Sequence, residues 1–427
     1  MNAQALMLPL LMVFVNCFTQ PGFEHFQNFL TAHIALLGLQ HCVTEVMRFT
    51  GIHHRLHWTT PYVFLRQGRW SCREVSQRLL ELLTARLTLF EEIILALDDT
   101  LVKKSGKKFF GLGYYPDPTD KNPGAHKRRV LGHCWVVMAL LWEKAGRWFA
   151  FPIAALLFVP EKICPRGWKF LTKIELAVLL IQRMRWAAKR LVLVVDNLYA
   201  KAQLIGIEFP EKKVVMVSRL RGNAALFELP KPRKGRGRPA KRGRKLSARQ
   251  LWLRRSKRRK LNVQIYGKTV TIEAFVGVVM PSRTLGDQPI LVVIFPQRRG
   301  KKKMNVFFST DLEMTAERVL ELYAARFQIE ELFREVKTAG GFGDYRQRSF
   351  QAIKRHATLC LVAYSLLRLL SVSVVKAEQI AAEPWWSPKG PPSVTRLRRA
   401  FFKALGISFS LHSEPKPHEN LRLQEAA

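Results

Sequence analysis

The chain is predicted to be α/β: a mixed sheet with helices packed on it, a helical N-terminal domain before it and a strand-rich insertion within it. Three observations carry this. Phe23–Gln40 and Cys72–Leu89 place apolar residues at helical spacing within the first ninety residues. Glu92–Leu97 and Leu191–Val195 are short apolar runs of strand length, and each stops at an aspartate, Asp98 and Asp196. Glu321–Lys337 contains neither Gly nor Pro and reads as helix.

Taken in order, residues 1–90 form the helical domain. Within it, Arg48–Arg73 carries His53, His54, Arg55, His57, Trp58, Arg66, Arg69 and Trp70. No Cys or carboxylate stands at ligand spacing from the histidines, so a basic and aromatic surface for nucleic acid fits better than a metal site. Residues 91–220 form the first part of the sheet domain. Its strand ending at Asp98-Asp99-Thr100 is followed by a hairpin of Cys134–Trp142 and Trp148–Val159, a helix over Lys169–Lys189, the strand ending at Asp196, and a short strand Val214–Ser218. Residues 221–310 form a basic, strand-rich insertion, with strands in Val263–Met280 and Pro289–Phe295. Residues 311–376 return to the core through one helix, Thr315–Lys337, and a second apolar helix from about Phe350. Residues 377–427 make a C-terminal helical segment and tail.

Charge narrows the partner. The 427 residues carry 70 Lys and Arg against 32 Asp and Glu, a net charge of +38. Such a surplus favours a polyanion, with nucleic acid ahead of an anionic membrane surface. It is concentrated in 231–260, where sixteen of thirty residues are basic and none is acidic. Inside that tract Arg236-Gly237-Arg238-Pro239 has the form of an extended element that enters a narrow minor groove. The apolar runs Leu6–Val15 and Leu359–Val375 are a short segment and one interrupted by Arg368, so both are expected as buried helices rather than membrane spans. Six scattered cysteines without a CxxC pair fit a reducing cytoplasm.

In so basic a chain the carboxylates are informative. At 3.6 residues per turn, Tyr323, Arg326, Glu330 and Lys337 project within an arc of about 60°. A solvated face laced by i,i+4 pairs has the same appearance. Two strand-end aspartates alter the balance, because a carboxylate at a strand end sits where ligands bind to a sheet. Asp98, Asp196 and Glu330 together, facing phosphates, need cations between them. Two Mg²⁺ or Mn²⁺ ions about 4 Å apart suit such oxygen donors and in-line phosphodiester displacement. Asp99 is open as an alternative to Asp98, since the sheet register decides between them. Glu331 and Glu335 project about 100° and 140° from Glu330, off the shared face.

Tyr323-x2-Arg326-x3-Glu330-x6-Lys337 resembles the Y-R-E-K signature of a group of bacterial insertion-sequence transposases with a DDE catalytic motif. Asp98-Asp99-Thr100 with Lys104 and Gly106 is similar to their first-Asp motif, and Val194-Val195-Asp196-Asn197 to the second. The resemblance spans about residues 90–350. It implies a ribonuclease-H-like catalytic core interrupted by an insertion, with Asp98, Asp196 and Glu330 as catalytic metal ligands. It implies cut-and-paste chemistry at the ends of the element, joining of 3′ ends to target DNA, and contacts to DNA phosphates from Tyr323, Arg326 and Lys337. Lys104, Arg236 and Arg238 are expected on DNA as well. A homodimer on DNA and a cytoplasmic, nucleoid-associated location follow from the same reading. A nuclease without strand transfer and a catalytically inactive DNA-binding derivative are the alternatives.

Overall fold

The computed structural model describes residues 3–36, 39–120, 128–209, 211–230, 240–297, 303–373 and 392–404. Five helices come first: α1 (Ala3–Met12), α2 (Gln20–Ala35), α3 (Val43–Thr50), α4 (Thr60–Arg66) and α5 (Cys72–Arg86). Then follow β1 (Glu92–Lys103), β2 (Gly113–Pro116), β3 (Arg129–Lys144), β4 (Arg147–Phe158), α6 (Lys173–Gln182), β5 (Arg190–Val195), α7 (Ala202–Ile205) and β6 (Lys213–Leu220). The insertion holds β7 (Leu226–Phe227), β8 (Lys245–Leu246), α8 (Ala248–Trp252), β9 (Arg258–Ile265), β10 (Lys268–Val279), β11 (Ile290–Pro296) and β12 (Met304–Ser309). The chain closes with α9 (Ala316–Ala325), α10 (Phe327–Thr338), α11 (Phe350–Ser373) and α12 (Val394–Ala404).

Ten strands make one sheet in the order β2-β3-β1-β5-β6-β12-β11-β10-β9, with β4 also paired to β3. Among the described residues only β1–β5 and β5–β6 pair in parallel. β5 is buried along Leu191–Val195, as expected of a strand covered on both faces. The order β4-β3-β1-β5-β6 is a mixed sheet compatible with the ribonuclease-H-like core expected above. The insertion does not stand apart from it. β12 pairs antiparallel with β6, so β9–β12 prolong the same sheet. Asp311 ties this seam: it receives Arg190 from the start of β5 at 2.7 Å and Lys213 from the start of β6 at 3.0 Å.

The helical module shares its core with the sheet domain. The long apolar helix α11 is buried from Leu359 to Cys360 and on through Leu370, apart from a partly exposed Arg368, and lies between β4 and helices α2, α4 and α5. Arg355 of α11 donates to the carbonyls of Phe64, Leu65, Gly68 and Trp70 at 2.6–3.3 Å. Those carbonyls lie at and just beyond the end of α4, where helical acceptors lack partners. Among the described residues no helix is long and apolar enough to cross a membrane.

Several elements differ from the sequence expectation: the Leu6–Val15 run, expected as a buried helix, ends its helix at Met12 and leaves Leu8, Met12, Val13 and Val15 exposed. The expected 315–337 helix is two helices meeting at Arg326, whose backbone stays helical (φ −53°, ψ −30°) while Ile329 N–H donates to the Arg326 carbonyl at three-residue spacing. The break is a slip in the hydrogen-bond ladder, which periodicity does not register. The expected helix 169–189 is shorter, Lys173–Gln182, because Thr172 and Glu175 form a capping box that starts it late.

Candidate active site

Asp98 lies on β1 and Asp196 directly follows β5. The two strands are parallel, with Leu97 opposite Val195, so the next residue on each is one of the aspartates. Parallel pairing at this register sets the carboxylates side by side at the same sheet end. Asp196 Oδ1 accepts the N–H of Leu198 at 2.8 Å and of Tyr199 at 3.4 Å, which fixes its rotamer.

Neighbouring strand residues point to opposite faces, and this separates Asp98 from Asp99. Asp99 is met by Lys173, from the start of α6, at 2.6 Å and by the Tyr199 hydroxyl at 3.1 Å. The Cys134 thiol adds a third donor at 3.4 Å. Asp98 instead meets Arg326, at the α9–α10 junction, at 2.8 Å. The same guanidinium reaches Glu330 Oε1 at 2.6 Å through its other terminal nitrogen. Asp98 and Glu330 therefore converge on one positively charged group.

The polar face of α9–α10 is laid against the sheet. Lys337 Nζ donates to the Leu101 carbonyl of β1 at 3.2 Å. Tyr323 packs edge-on against Phe307 of β12, with ring centroids 4.9 Å apart, and Arg326 lies 5.8 Å from its ring. The rival carboxylates are engaged elsewhere. Glu331 pairs with Arg334, and Glu335 is held by the Tyr364 hydroxyl and Arg368.

Burial raises the Asp98 carboxyl to about 6; Arg326 opposes the rise and the charge of Asp196 adds to it. A carboxylate pair of this kind is short of positive charge. All three candidate ligands are hard oxygen donors suited to Mg²⁺ or Mn²⁺. Among the described residues one oxygen from each of the three does not lie within 4.8 Å of the others. In this structure the Arg326 guanidinium supplies positive charge to both Asp98 and Glu330. The donor set therefore fits divalent metal.

Lys104, expected on DNA, is engaged within the protein in this structure. Its ammonium is half-buried and donates to the carbonyls of Gly343 and Tyr345, 3.5 Å from the Tyr345 ring centre. That desolvation lowers its pKa to about 8. In this arrangement it ties β1 to the turn after α10. Arg236 and Arg238 lie outside the described residues.

Sequence reasoning passed over two aromatics at the site. Tyr266 forms the tip of the β9–β10 hairpin with Gly267; both have positive φ, 52° and 74°, the geometry of a two-residue hairpin turn. Tyr266 is 68% exposed and packs edge-on against Phe327, 40% exposed, at 5.9 Å. Burial, and after it the charge of Glu330, raises its hydroxyl pKa, with Arg326 opposing. The signal lay in Tyr266-Gly267 between two alternating runs, but nothing local says that this hairpin reaches α10.

No curated protein matches the chain. A family model described as DDE superfamily endonuclease matches residues 13–273, which include Asp98 and Asp196 and end before Glu330. With more than half of its length matched and two carboxylates set side by side at the sheet end, the chain belongs to the DDE superfamily endonuclease family.

Proposed function

We propose that this protein is a DNA transposase of the Y-R-E-K signature group, which binds the ends of its insertion sequence, cleaves them and joins the freed 3′ ends to target DNA. The observation that carries the reading is Asp98 set beside Asp196 at one sheet end, with Glu330 joined to Asp98 through Arg326 and with Lys337 reaching β1. Endonuclease membership and the +38 charge support it.

Asp98, Asp196 and Glu330 hold the divalent ions. Bound there, a metal pair lowers the pKa of an attacking water or 3′-hydroxyl and stabilises the leaving oxygen. Arg326 offers a bidentate guanidinium that exchanges carboxylate for phosphate oxygens as the DNA end enters. Lys337 and the Tyr323 hydroxyl hold the backbone beside the scissile bond. Tyr266 and Phe327 present aromatic faces to a base next to the cleaved phosphate. Arg236 and Arg238 grip flanking duplex through the minor groove, with counterion release from the 231–260 tract adding affinity. Lys104 acts by positioning β1. Two ends must be joined, so the working form is a homodimer on DNA in the nucleoid.

The test is incubation with Mg²⁺ and DNA bearing the terminal inverted repeats that flank its own gene, beside Asp196→Ala. The wild type is expected to nick at the ends and transfer strands, and the variant to bind equally and do neither. Nicking without joined products favours a nuclease alone. No nicking by a wild type that binds the ends defeats the enzymatic reading.

A further inference from the structure

The helical module meets α11 at a buried cluster that the proposed reaction does not use. His33 of α2 and His356 and Cys360 of α11 are all closed off from solvent, at 2%, 0% and 1% exposure. His356 and Cys360 are one helical turn apart, so their side chains share a face. His33 faces them across the helix–helix contact, its ring edge-on to His356 with centroids 5.1 Å apart.

Three observations point to a ligand. First, one ligand atom from each residue, two ring nitrogens and the Cys360 sulfur, lie within 4.8 Å of one another. Cys360 Sγ lies 3.6 Å from His33 Nδ1 and 3.8 Å from its Nε2. A tetrahedral ion with metal–sulfur near 2.3 Å and metal–nitrogen near 2.05 Å has an S···N edge of about 3.6 Å. Second, His356 Nε2 is bonded to the Gly341 carbonyl at 2.9 Å, while its buried Nδ1 has no partner. A backbone carbonyl on one ring nitrogen with the other left free is how proteins orient a histidine ligand. Third, a small cavity of about 10 Å³ opens beside His33 and Cys360, with His356 outside its lining.

We infer that His33, His356 and Cys360 form a binding site for a borderline-soft divalent cation of the zinc type, which staples α2 of the helical module to α11. Two imidazoles and one thiolate match the preference of Zn²⁺ for nitrogen and sulfur. Binding forms a metal–sulfur bond and releases the Cys360 thiol proton to solvent, with no change of oxidation state. Burial keeps both imidazoles neutral, the form that ligates. The surroundings are built for the same corner. His41 stacks on His33 at 5.3 Å, receives Arg398 on Nε2 and faces Asp344 with Nδ1 at 3.4 Å. Burial, with the Asp344 carboxylate adding to it and Arg398 opposing, pushes the Cys360 thiol well above its usual value, so a bound ion must itself draw off that proton. Gly341 has a φ of +71°, and a Cβ there would lie 2.3 Å from the His41 ring, so glycine is needed where its carbonyl orients His356.

The experiment uses full-length protein grown with zinc, in wild type, Cys360→Ser and Asp196→Ala forms. About one zinc per chain is expected in wild type and in Asp196→Ala, and loss of at least tenfold in Cys360→Ser. Cobalt reconstitution of the wild type should give tetrahedral bands and a thiolate charge-transfer band, absent from Cys360→Ser. Chelation should lower Tm by several degrees in the two metal-holding forms only. Should Cys360→Ser not fold, the cobalt thiolate band of the wild type and its absence from Cys360→Ala decide. Less than a tenth of an equivalent of zinc in wild type, with no cobalt thiolate band, overturns the site and leaves a hydrogen-bonded cluster. Zinc lost from Asp196→Ala but kept by Cys360→Ser assigns the metal to the carboxylates instead.

Discussion

Asp98 and Asp99 are neighbours on one strand, yet they face opposite environments. Asp99 is closed: Lys173, Tyr199 and Cys134 already satisfy it. Asp98 accepts the Asp99 backbone N–H and meets a single cation, Arg326, which also serves Glu330 and stands at a helix junction. A carboxylate with three fixed donors stabilises a fold. A carboxylate whose single cationic partner is shared and exchangeable is placed to take a ligand. The pleat of β1 turns one chemical group into both, a residue apart.

The largest effect should separate these two residues. Asp98→Asn is expected to reduce end cleavage by roughly three orders of magnitude or more while leaving thermal stability near wild type, since it removes a carboxylate that burial disfavours. Asp99→Asn should cost about 2 kcal/mol of stability through the unpaired Lys173, with cleavage at permissive temperature within about tenfold of wild type. Denaturant unfolding beside a nicking assay reads both. The opposite outcome, with Asp99→Asn folded and inactive, would move the ligand to the other face of β1.

Arg326 sharpens the comparison next. Arg326→Ala should lower cleavage by about a hundredfold, and Arg326→Lys should recover little of it, because a point charge cannot bridge Asp98 and Glu330. Full recovery by lysine would reduce Arg326 to a simple counter-charge. A smaller and more selective loss is expected at Lys337, which reaches β1 three residues beyond Asp98. Lys337→Ala should weaken end processing more than general DNA affinity, read by single-turnover cleavage and by binding to unrelated duplex. Equal losses in the two assays count against a role at the scissile phosphate.

The smallest effect tests a carboxylate of the closed kind. Asp311 is 5% exposed on its side chain and pairs with Arg190 and Lys213. Despite the opposing cost of its burial, these partners hold its pKa below the usual value. A depressed folded pKa contributes stability above the unfolded value near 3.9 and loses it as pH falls through the folded value. Asp311→Asn should therefore lower stability by about 1–3 kcal/mol at pH 7, with the gap to wild type closing below about pH 4. A gap that persists at pH 3 would mean that packing, not charge, holds the seam between β6 and β12.

Much of the architecture was legible in local patterns. The apolar runs that end at Asp98 and Asp196, the hairpin of β3 and β4, and the helical first ninety residues follow from side-chain periodicity, a property of neighbours in the chain. The break at Arg326 was not legible, because a shift from four- to three-residue hydrogen bonding leaves side-chain spacing almost unchanged. Nor was the fate of Lys104: a basic residue near a motif looks free until the turn at Gly343–Tyr345 supplies carbonyls 239 and 241 residues away.

What the sequence by itself determined was residue chemistry and element identity: a basic chain, two strand-end aspartates, and one helical face bearing Tyr323, Arg326, Glu330 and Lys337. What only the tertiary structure decided was which groups meet. The face of β1 that carries Asp98, the joining of the inserted strands to β6, the approach of Tyr266 to Phe327, and the pairing of His33 with Cys360 across 327 positions all depend on register and long-range packing. These are set by burial of shared apolar surface, which no local spacing encodes.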